Sequence, residues 1–229
     1  EQRTMINNFL RKAKGGKISF THILAYAMVQ ALKTVPAMNN AYAEIDGKPH
    51  LIENHQINLG MAIDVVNKDG SRKLVVPAIK GAEQMDFLDF WRAYEEIVRK
   101  GRTNELTIED FKGVTASLTN PGGFGTNHSI ARLMPGQGMI LGVGSIDYPA
   151  AYQGNSPTRM AELGISKVTT LTSTYDHRII QGAQSGEFLR RMHQLLLGAD
   201  RFYENIFESL RIPYAPVQWA SDRQANRPD

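Results

Sequence analysis

Apolar residues recur at helical spacing in five stretches of the chain, and this spacing predicts amphipathic helices. The predicted helices cover residues 4–13, 21–35, 85–98, 183–196 and 202–210. Pro36 ends the second helix, and Gly198 fits the position after the fourth, where a left-handed residue commonly closes a helix. Residues 107–110 resemble a capping box that opens one further helical turn.

Short strands are predicted between these helices. They cover residues 42–45, 51–53, 57–66, 73–79, 114–118, 139–144 and 169–175. The pairs Asp46-Gly47 and Asp69-Gly70 are typical of tight turns, so the first four strands are predicted to form two hairpins. Helices interspersed with hairpins, without regular βα alternation, favour the α+β class with a mixed β-sheet and flanking helices.

Composition removes several classes of function. The net charge of +3, without a dense Lys/Arg block, gives no reason to expect a nucleic-acid partner. No apolar run approaches the roughly 20 residues that span a bilayer, and no signal-peptide pattern is present, so we expect no membrane association and a cytoplasmic location. Cysteine is absent and the six histidines show no ligand-like spacing, so no metal site is predicted.

The strongest candidate residues lie in the stretch from Thr174 to Gly182. His177 falls between a predicted strand and a predicted helix, where rigid elements on both sides direct an imidazole for proton transfer. Asp176 and Arg178 flank it and are interpreted as structural residues that fix the turn, with Gly182 letting the backbone turn tightly. Taken alone, an Asp-His-Arg triplet is more often a surface salt-bridge cluster than a catalytic site.

Hydroxyl donors lie in the strand from Thr115 to Thr119 and in the loop after it. A general base and a positioned hydroxyl, without an enzyme nucleophile, are what direct acyl transfer requires. The base takes the proton of an incoming thiol, and the hydroxyl donates to the oxyanion of the tetrahedral intermediate. Composition and spacing do not favour this chemistry over a binding role.

Four motifs occur in one order along the chain. They are Asn-Leu-Gly-Met-Ala-Ile-Asp (58–64) followed by Leu-Val-Val-Pro (74–77), Thr-Asn-Pro-Gly-Gly-Phe-Gly (119–125), Pro-Gly-Gln-Gly-Met-Ile-Leu-Gly-Val-Gly (135–144) and Asp-His-Arg-Ile-Ile-Gln-Gly (176–182). Together they resemble the catalytic domain of the 2-oxoacid dehydrogenase acyltransferases, the E2 family, whose fold is shared with chloramphenicol acetyltransferase. Residues 1–212 are therefore predicted to form the catalytic domain, and residues 213–229 a Pro- and polar-rich linker or tail toward a following module.

The resemblance implies a homotrimer whose active site lies between neighbouring chains. His177 of one chain would deprotonate the thiol of coenzyme A, or of dihydrolipoyl in reverse. Thr119 of the next chain, where the family usually has Ser, would donate to the oxyanion. Coenzyme A is thus implied as a substrate, while substrate-binding residues are not assigned. No lipoylation-type Asp-Lys site is present, so the lipoyl group is implied to come from a lipoyl domain of another protein.

The last motif and the C-terminal segment are similar to one subgroup, the acyltransferase domains of actinobacterial multifunctional 2-oxoglutarate dehydrogenases. In that subgroup the domain is fused ahead of an E1 module that uses thiamine diphosphate and Mg²⁺. The resemblance implies succinyl transfer in the 2-oxoglutarate dehydrogenase reaction of the tricarboxylic acid cycle. It also implies an E1 module as partner and no metal in this domain. Glu1 as first residue suits a piece of a longer protein.

Gln181 departs from the family pattern, which usually has Asp at this position. Gln forms hydrogen bonds but does not balance a cation. This leaves open a second hypothesis, a largely non-catalytic trimeric core that assembles the E1 component, although retention of His177 and of a hydroxyl at Thr119 favours an enzyme. A third reading, acetyl transfer to a small alcohol as in the chloramphenicol enzymes, is disfavoured by the E2-type motifs.

Overall fold

The computed structural model describes residues 1–13, 15–66 and 69–218. Within these ranges the chain forms seven α-helices: α1 (Gln2–Lys12), α2 (Phe20–Thr34), α3 (Phe87–Thr103), α4 (Ile108–Phe111), α5 (Pro157–Glu162), α6 (Gly182–Leu196) and α7 (Phe202–Ser209). The strands in the same ranges are β1 (Ala41–Ile45), β2 (Lys48–Ile52), β3 (Leu59–Met61), β4 (Ile63–Val66), β5 (Arg72–Val75), β6 (Ala78–Ile79), β7 (Ala116–Thr119), β8 (Met139–Val143) and β9 (Leu171–Tyr175).

A five-stranded sheet in the order β6-β3-β7-β8-β9 forms the centre of the fold. Strands β3, β7 and β8 run parallel to one another, whereas β6 and β9 pair antiparallel at the two edges. The pairs β1–β2 and β4–β5 form separate antiparallel hairpins. The predicted α+β class, with a mixed sheet and flanking helices, is therefore confirmed.

The central strand β8 and the helix α2 make up the best-protected part of the core. All five residues of β8 are buried, as is typical of a strand with neighbours on both sides and cover on both faces. Helix α2 buries ten of its 15 residues and packs against α6 and α3. The strand ends that carry the candidate site residues are thus held by rigid elements.

His22 at the start of α2 is a structural residue. Its Nδ1 accepts a hydrogen bond from the Ser19 backbone N–H (3.0 Å), which completes a capping box. Burial lowers the pKa of His22 to about 4, so the imidazole is neutral and its proton lies on Nε2. That nitrogen donates to Glu95 Oε1 at 3.1 Å, and the ring packs edge-on against Tyr94.

The second predicted hairpin is confirmed, although each of its strands is interrupted once. Residues 57–66 and 73–79 are predicted as two continuous strands, but each divides into two. Strand β4 pairs with β5 and β3 pairs with β6, both antiparallel and in one register, with Ile63 opposite Val75 and Leu59 opposite Ile79. The ladder is interrupted because Pro77 has no N–H to donate. On its other side β3 pairs with β7, and the N–H of Ala62 donates to Leu118 O (3.0 Å).

The first residues of the predicted tail pack back onto α1. The backbone N–H of Val217 donates to Gln2 Oε1 (3.2 Å), and the Tyr214 ring lies edge-on to Phe9. Residues 219–229 lie outside the described residues, so the linker and the domain boundary at residue 212 stay predictions. Among the helices in the described ranges, none is long and apolar enough to cross a membrane.

Candidate active site

His177 lies at the tip of a tight turn that follows β9. The N–H of Asp176 extends the sheet by donating to Gly138 O (2.9 Å). The carbonyl of Asp176 then accepts from the N–H groups of Ile179 (3.1 Å) and Ile180 (2.9 Å), which closes the turn. Because the Ile180 side chain is completely buried, the turn is anchored in the core while the His177 side chain stays exposed.

Asp176 and Arg178 bond to each other across this turn. Arg178 Nε donates to Asp176 Oδ1 (2.8 Å) and Nη2 donates to Oδ2 (2.6 Å), a bidentate pair. These hydrogen bonds from Arg178 lower the pKa of the Asp176 carboxyl. The guanidinium also stacks on Tyr42 of β1, with 3.6 Å between Cζ and the ring centroid. This geometry favours the structural role predicted for both residues.

Gln181 is the N-cap residue of α6. Its backbone N–H donates to Gln184 Oε1 (2.8 Å), and its own side chain is exposed. The interpretation of Gly182 needs correction: its φ is not in the left-handed region, and it is the first residue of the helix. The tight turn is made by residues 176–180, so Gly182 is not required for it.

Replacing Gln181 by Asp is expected to stabilise the protein by about 1 kcal/mol, because Asp is a far better N-cap than Gln. For a domain of this size the melting temperature should rise by about 2–4 °C in calorimetry. Gln218→Asp, an exposed substitution outside any helix, is the matched control for added charge. We expect transferase activity to hold or rise in Gln181→Asp, and a large drop would show that the amide itself is used.

Thr119 is the last residue of β7 and lies away from the turn that carries His177. It is half-buried and pairs with Gly142 of β8. It borders a cavity of about 480 Å³ whose lining residues are Ala62, Asp64, Arg72, Leu74, Thr119, Asn120, Pro121 and Phe124. The next residue, Asn120, donates from Nδ2 to Thr21 Oγ1 (2.9 Å). The loop that follows Thr119 is therefore tied to the first turn of α2.

Two glycines of the motif at 135–144, Gly138 and Gly144, are explained by packing of backbone against backbone. A Cβ on Gly144 would lie 1.8 Å from Asn127 O, and one on Gly138 would lie 1.8 Å from Asn40 O. Neither acceptor can move aside easily, because both are main-chain atoms. These two glycines therefore allow the backbone at Asn40 and at Asn127 to pack closely against the two ends of β8, the strand between β7 and β9.

The structure does not bring His177 and Thr119 together within one chain. Tyr175, just before the His177 turn, pairs with Met139, whereas Thr119 pairs with Gly142 at the other end of β8. Three residues along the strand and two strand spacings separate the Cα atoms of Tyr175 and Thr119 by roughly 14 Å. A base and an oxyanion donor that serve one thioester must both lie within a few ångströms of it, so two groups this far apart in one chain do not serve the same reacting centre.

The other histidines lie elsewhere. His193 is exposed on α6, and the ring of His50 bonds to Lys48 O of the same strand (2.9 Å). No group of three or more His, Cys, Asp or Glu side chains in the described part of the chain is arranged to hold a metal ion.

Sequence comparison places the chain among known proteins. The sequence model of the 2-oxoacid dehydrogenases acyltransferase (catalytic domain) matches residues 1–203. The chain is also 59% identical over 222 residues to the 2-oxoglutarate dehydrogenase E1/E2 component of Corynebacterium glutamicum, a match that covers 97% of this chain and 18% of that protein. The chain therefore spans less than one fifth of the length of this curated relative.

Two solved structures share the fold at 25% sequence identity. One is the cubic core of the pyruvate dehydrogenase multienzyme complex, with a TM-score of 0.67 over 91% of this chain and 77% of that chain. The other, with the same TM-score and coverage, is the Azotobacter vinelandii dihydrolipoamide acetyltransferase, studied for the roles of a serine, a histidine and an asparagine in its catalytic mechanism. The chain belongs to the 2-oxoacid dehydrogenase acyltransferase family, as a catalytic domain of the E2 type.

Proposed function

We propose that this domain transfers a succinyl group between dihydrolipoyl and coenzyme A, with His177 as general base and Thr119 as oxyanion donor. The proposed assembly is a homotrimer in which each active site takes His177 from one chain and Thr119 from the next. The observation that carries this proposal is the placement of the two residues at opposite ends of one sheet. In a closed ring built from heterologous contacts, two different surfaces of neighbouring chains meet, so residues that are far apart within one chain can come together across the interface.

The chemistry requires no covalent enzyme intermediate. The imidazole of His177 takes the proton from the thiol of coenzyme A or dihydrolipoyl, and the sulfur attacks the thioester carbonyl carbon. The Thr119 hydroxyl donates to the oxygen that becomes negative in the tetrahedral intermediate. When the intermediate collapses, the departing thiolate takes the proton back from His177, so the enzyme ends in its starting state.

The partners follow from the relative and from the family. The Corynebacterium glutamicum relative is an E1/E2 component, and we extend this arrangement to the protein that contains this domain. Thiamine diphosphate and Mg²⁺ would then belong to the E1 module, in a cytoplasmic 2-oxoglutarate dehydrogenase complex. The given sequence has no lipoylation-type Asp-Lys site, so we propose that the lipoyl group arrives on another domain or on another protein.

The side chain at position 181 supports the enzyme over the non-catalytic core. In the Azotobacter vinelandii enzyme, the histidine and asparagine under study are four positions apart. Gln181 follows His177 by the same interval and carries the same amide group on a longer side chain. An amide at this position is therefore compatible with catalysis and is not a sign that the site has decayed.

Co-expression of two inactive variants tests the shared site. Chains with His177→Ala and chains with Thr119→Val are each expected to be nearly inert. In random mixed trimers about one quarter of the sites combine an intact His with an intact Thr, so about a quarter of wild-type activity should return. The measurement is transfer from succinyl-coenzyme A to dihydrolipoamide by purified mixed assemblies.

Mixing His177→Ala chains with the double variant His177→Ala/Thr119→Val is the control, because no site in that mixture has the base. Failure of the first mixture to regain activity, although the mixed assemblies form, would contradict the two-chain site.

A further inference from the structure

The cavity beside Thr119 contains a cationic side chain. Arg72 of β5 is the only Lys or Arg among the described residues that line it. Asp64 of β4 lies across the hairpin and forms an ion pair with this guanidinium. The remaining lining side chains are neutral, so Arg72 and Asp64 supply the charges of the described cavity lining.

The guanidinium of Arg72 is held in a defined orientation. Its Nε donates to Asp64 Oδ1 (3.2 Å), and its Nη2 donates to Asp64 Oδ2. Its Cζ lies over the ring of Phe124, 5.1 Å from the ring centroid. A guanidinium has five N–H donors, and Nη1 forms no hydrogen bond to a described residue. One edge of the group therefore stays available for a second carboxylate.

The cavity that Arg72 shares with Thr119 suits an acyl group that ends in a carboxylate. If the thioester oxygen lies at the Thr119 hydroxyl, the distal carboxylate of a succinyl group lies on the order of 4–5 Å from the reacting carbon, given bond lengths of about 1.5 Å. That distance keeps the carboxylate within the same cavity of about 480 Å³. An uncharged acyl chain of equal length leaves the Nη1 edge without a partner.

We propose that Arg72 recognises the distal carboxylate of the transferred acyl group and selects succinyl over neutral acyl groups. This inference rests on the proposed function, since it places the acyl group at Thr119. Asp64 and Phe124 act as positioning residues in this arrangement, because they fix the plane in which Arg72 presents its N–H groups. Specificity would thus be set by the β4–β5 hairpin next to the end of β7.

The test compares succinyl-coenzyme A with butyryl-coenzyme A, which has the same chain length without the carboxylate. In the full chain, Arg72→Met should lower kcat/KM for succinyl-coenzyme A about 10- to 100-fold, the range expected for losing a hydrogen bond to a charged group. With butyryl-coenzyme A the change should stay below about threefold, as is usual for an exposed substitution. Arg72→Lys should keep part of the preference, because it retains the charge without the planar fork.

Lys73→Met is the matched control, since Lys73 is the next residue of β5 and borders a different cavity. It should leave the ratio of the two kcat/KM values unchanged. Equal losses with both acyl donors, or no loss with either, would reduce Arg72 to a surface ion pair and overturn the inference. A wild-type chain that prefers butyryl-coenzyme A would do the same. A wild-type chain inert toward both donors would instead overturn the proposed function, and the role of Arg72 with it.

Discussion

The His177→Ala chain should transfer succinyl groups at least about a hundredfold more slowly than the wild-type chain, because a positioned general base contributes about 10²–10⁴ in rate. The loss is expected in kcat, measured with succinyl-coenzyme A and dihydrolipoamide at saturating concentrations. The His177 side chain is exposed at the tip of a turn whose hydrogen bonds are made by the backbone of Asp176. Alanine should therefore leave the fold and the stability almost unchanged.

His193→Ala is the matched control, because it removes an exposed histidine from α6, away from the turn. It should retain full activity. Sedimentation should show the same assembly, a trimer or a multiple of it, for both variants and the wild type. If wild type and His177→Ala are equally inert while both assemble, the domain is a non-catalytic core. A stable monomer would exclude the shared site.

Replacing Thr119 by Val should reduce kcat about 10²–10³-fold, the usual effect of removing one oxyanion donor. Valine keeps the β-branched shape at the end of β7, so the substitution removes the hydroxyl with little change in volume. The neighbouring hydrogen bond from Asn120 to Thr21 does not involve the Thr119 side chain and should hold the loop in place. Steady-state kinetics and a melting curve together separate lost chemistry from lost stability.

Thr119→Ser supplies the complementary control, since it restores the hydroxyl in the form that the family usually carries. Its kcat should lie within about tenfold of the wild type, because the remaining difference is the freer χ1 rotation of Ser. Valine at wild-type activity would remove Thr119 from the oxyanion role. A serine variant as slow as the valine variant would show that the methyl group, and not the hydroxyl, is what matters at this position.

Elements defined by local periodicity are predicted well from the sequence. The helix expected at 21–35 is Phe20–Thr34, and the one expected at 202–210 is Phe202–Ser209, because apolar spacing and capping residues are local signals. Helix α5 is not predicted, since six residues are too few to show a period. The pairing of β3 with β7 is also not predicted, because Leu59 and Ala116 meet through packing of the whole domain.

The candidate site, like the fold, is predicted from the sequence only where the signal is local. His177 and Thr119 are identified from short motifs, but their separation follows only from the register of β7, β8 and β9. Arg72 is absent from the predicted site because an Arg on a hairpin strand resembles any exposed polar residue. Its significance comes from sharing a cavity with Thr119, a residue 47 positions later. Gln181 is identified from the motif, whereas its position as a helix cap is apparent only in the structure.

The absence of side chains at Gly138 and Gly144 has a consequence for molecular evolution. Even a single methyl group at either position would collide with a main-chain oxygen, so selection for foldability alone is sufficient to preserve both glycines. A descendant that lost every trace of turnover would still carry them. The glycine-rich motif is therefore a marker of ancestry and architecture, whereas under the proposed mechanism selection for catalysis acts on positions 119 and 177.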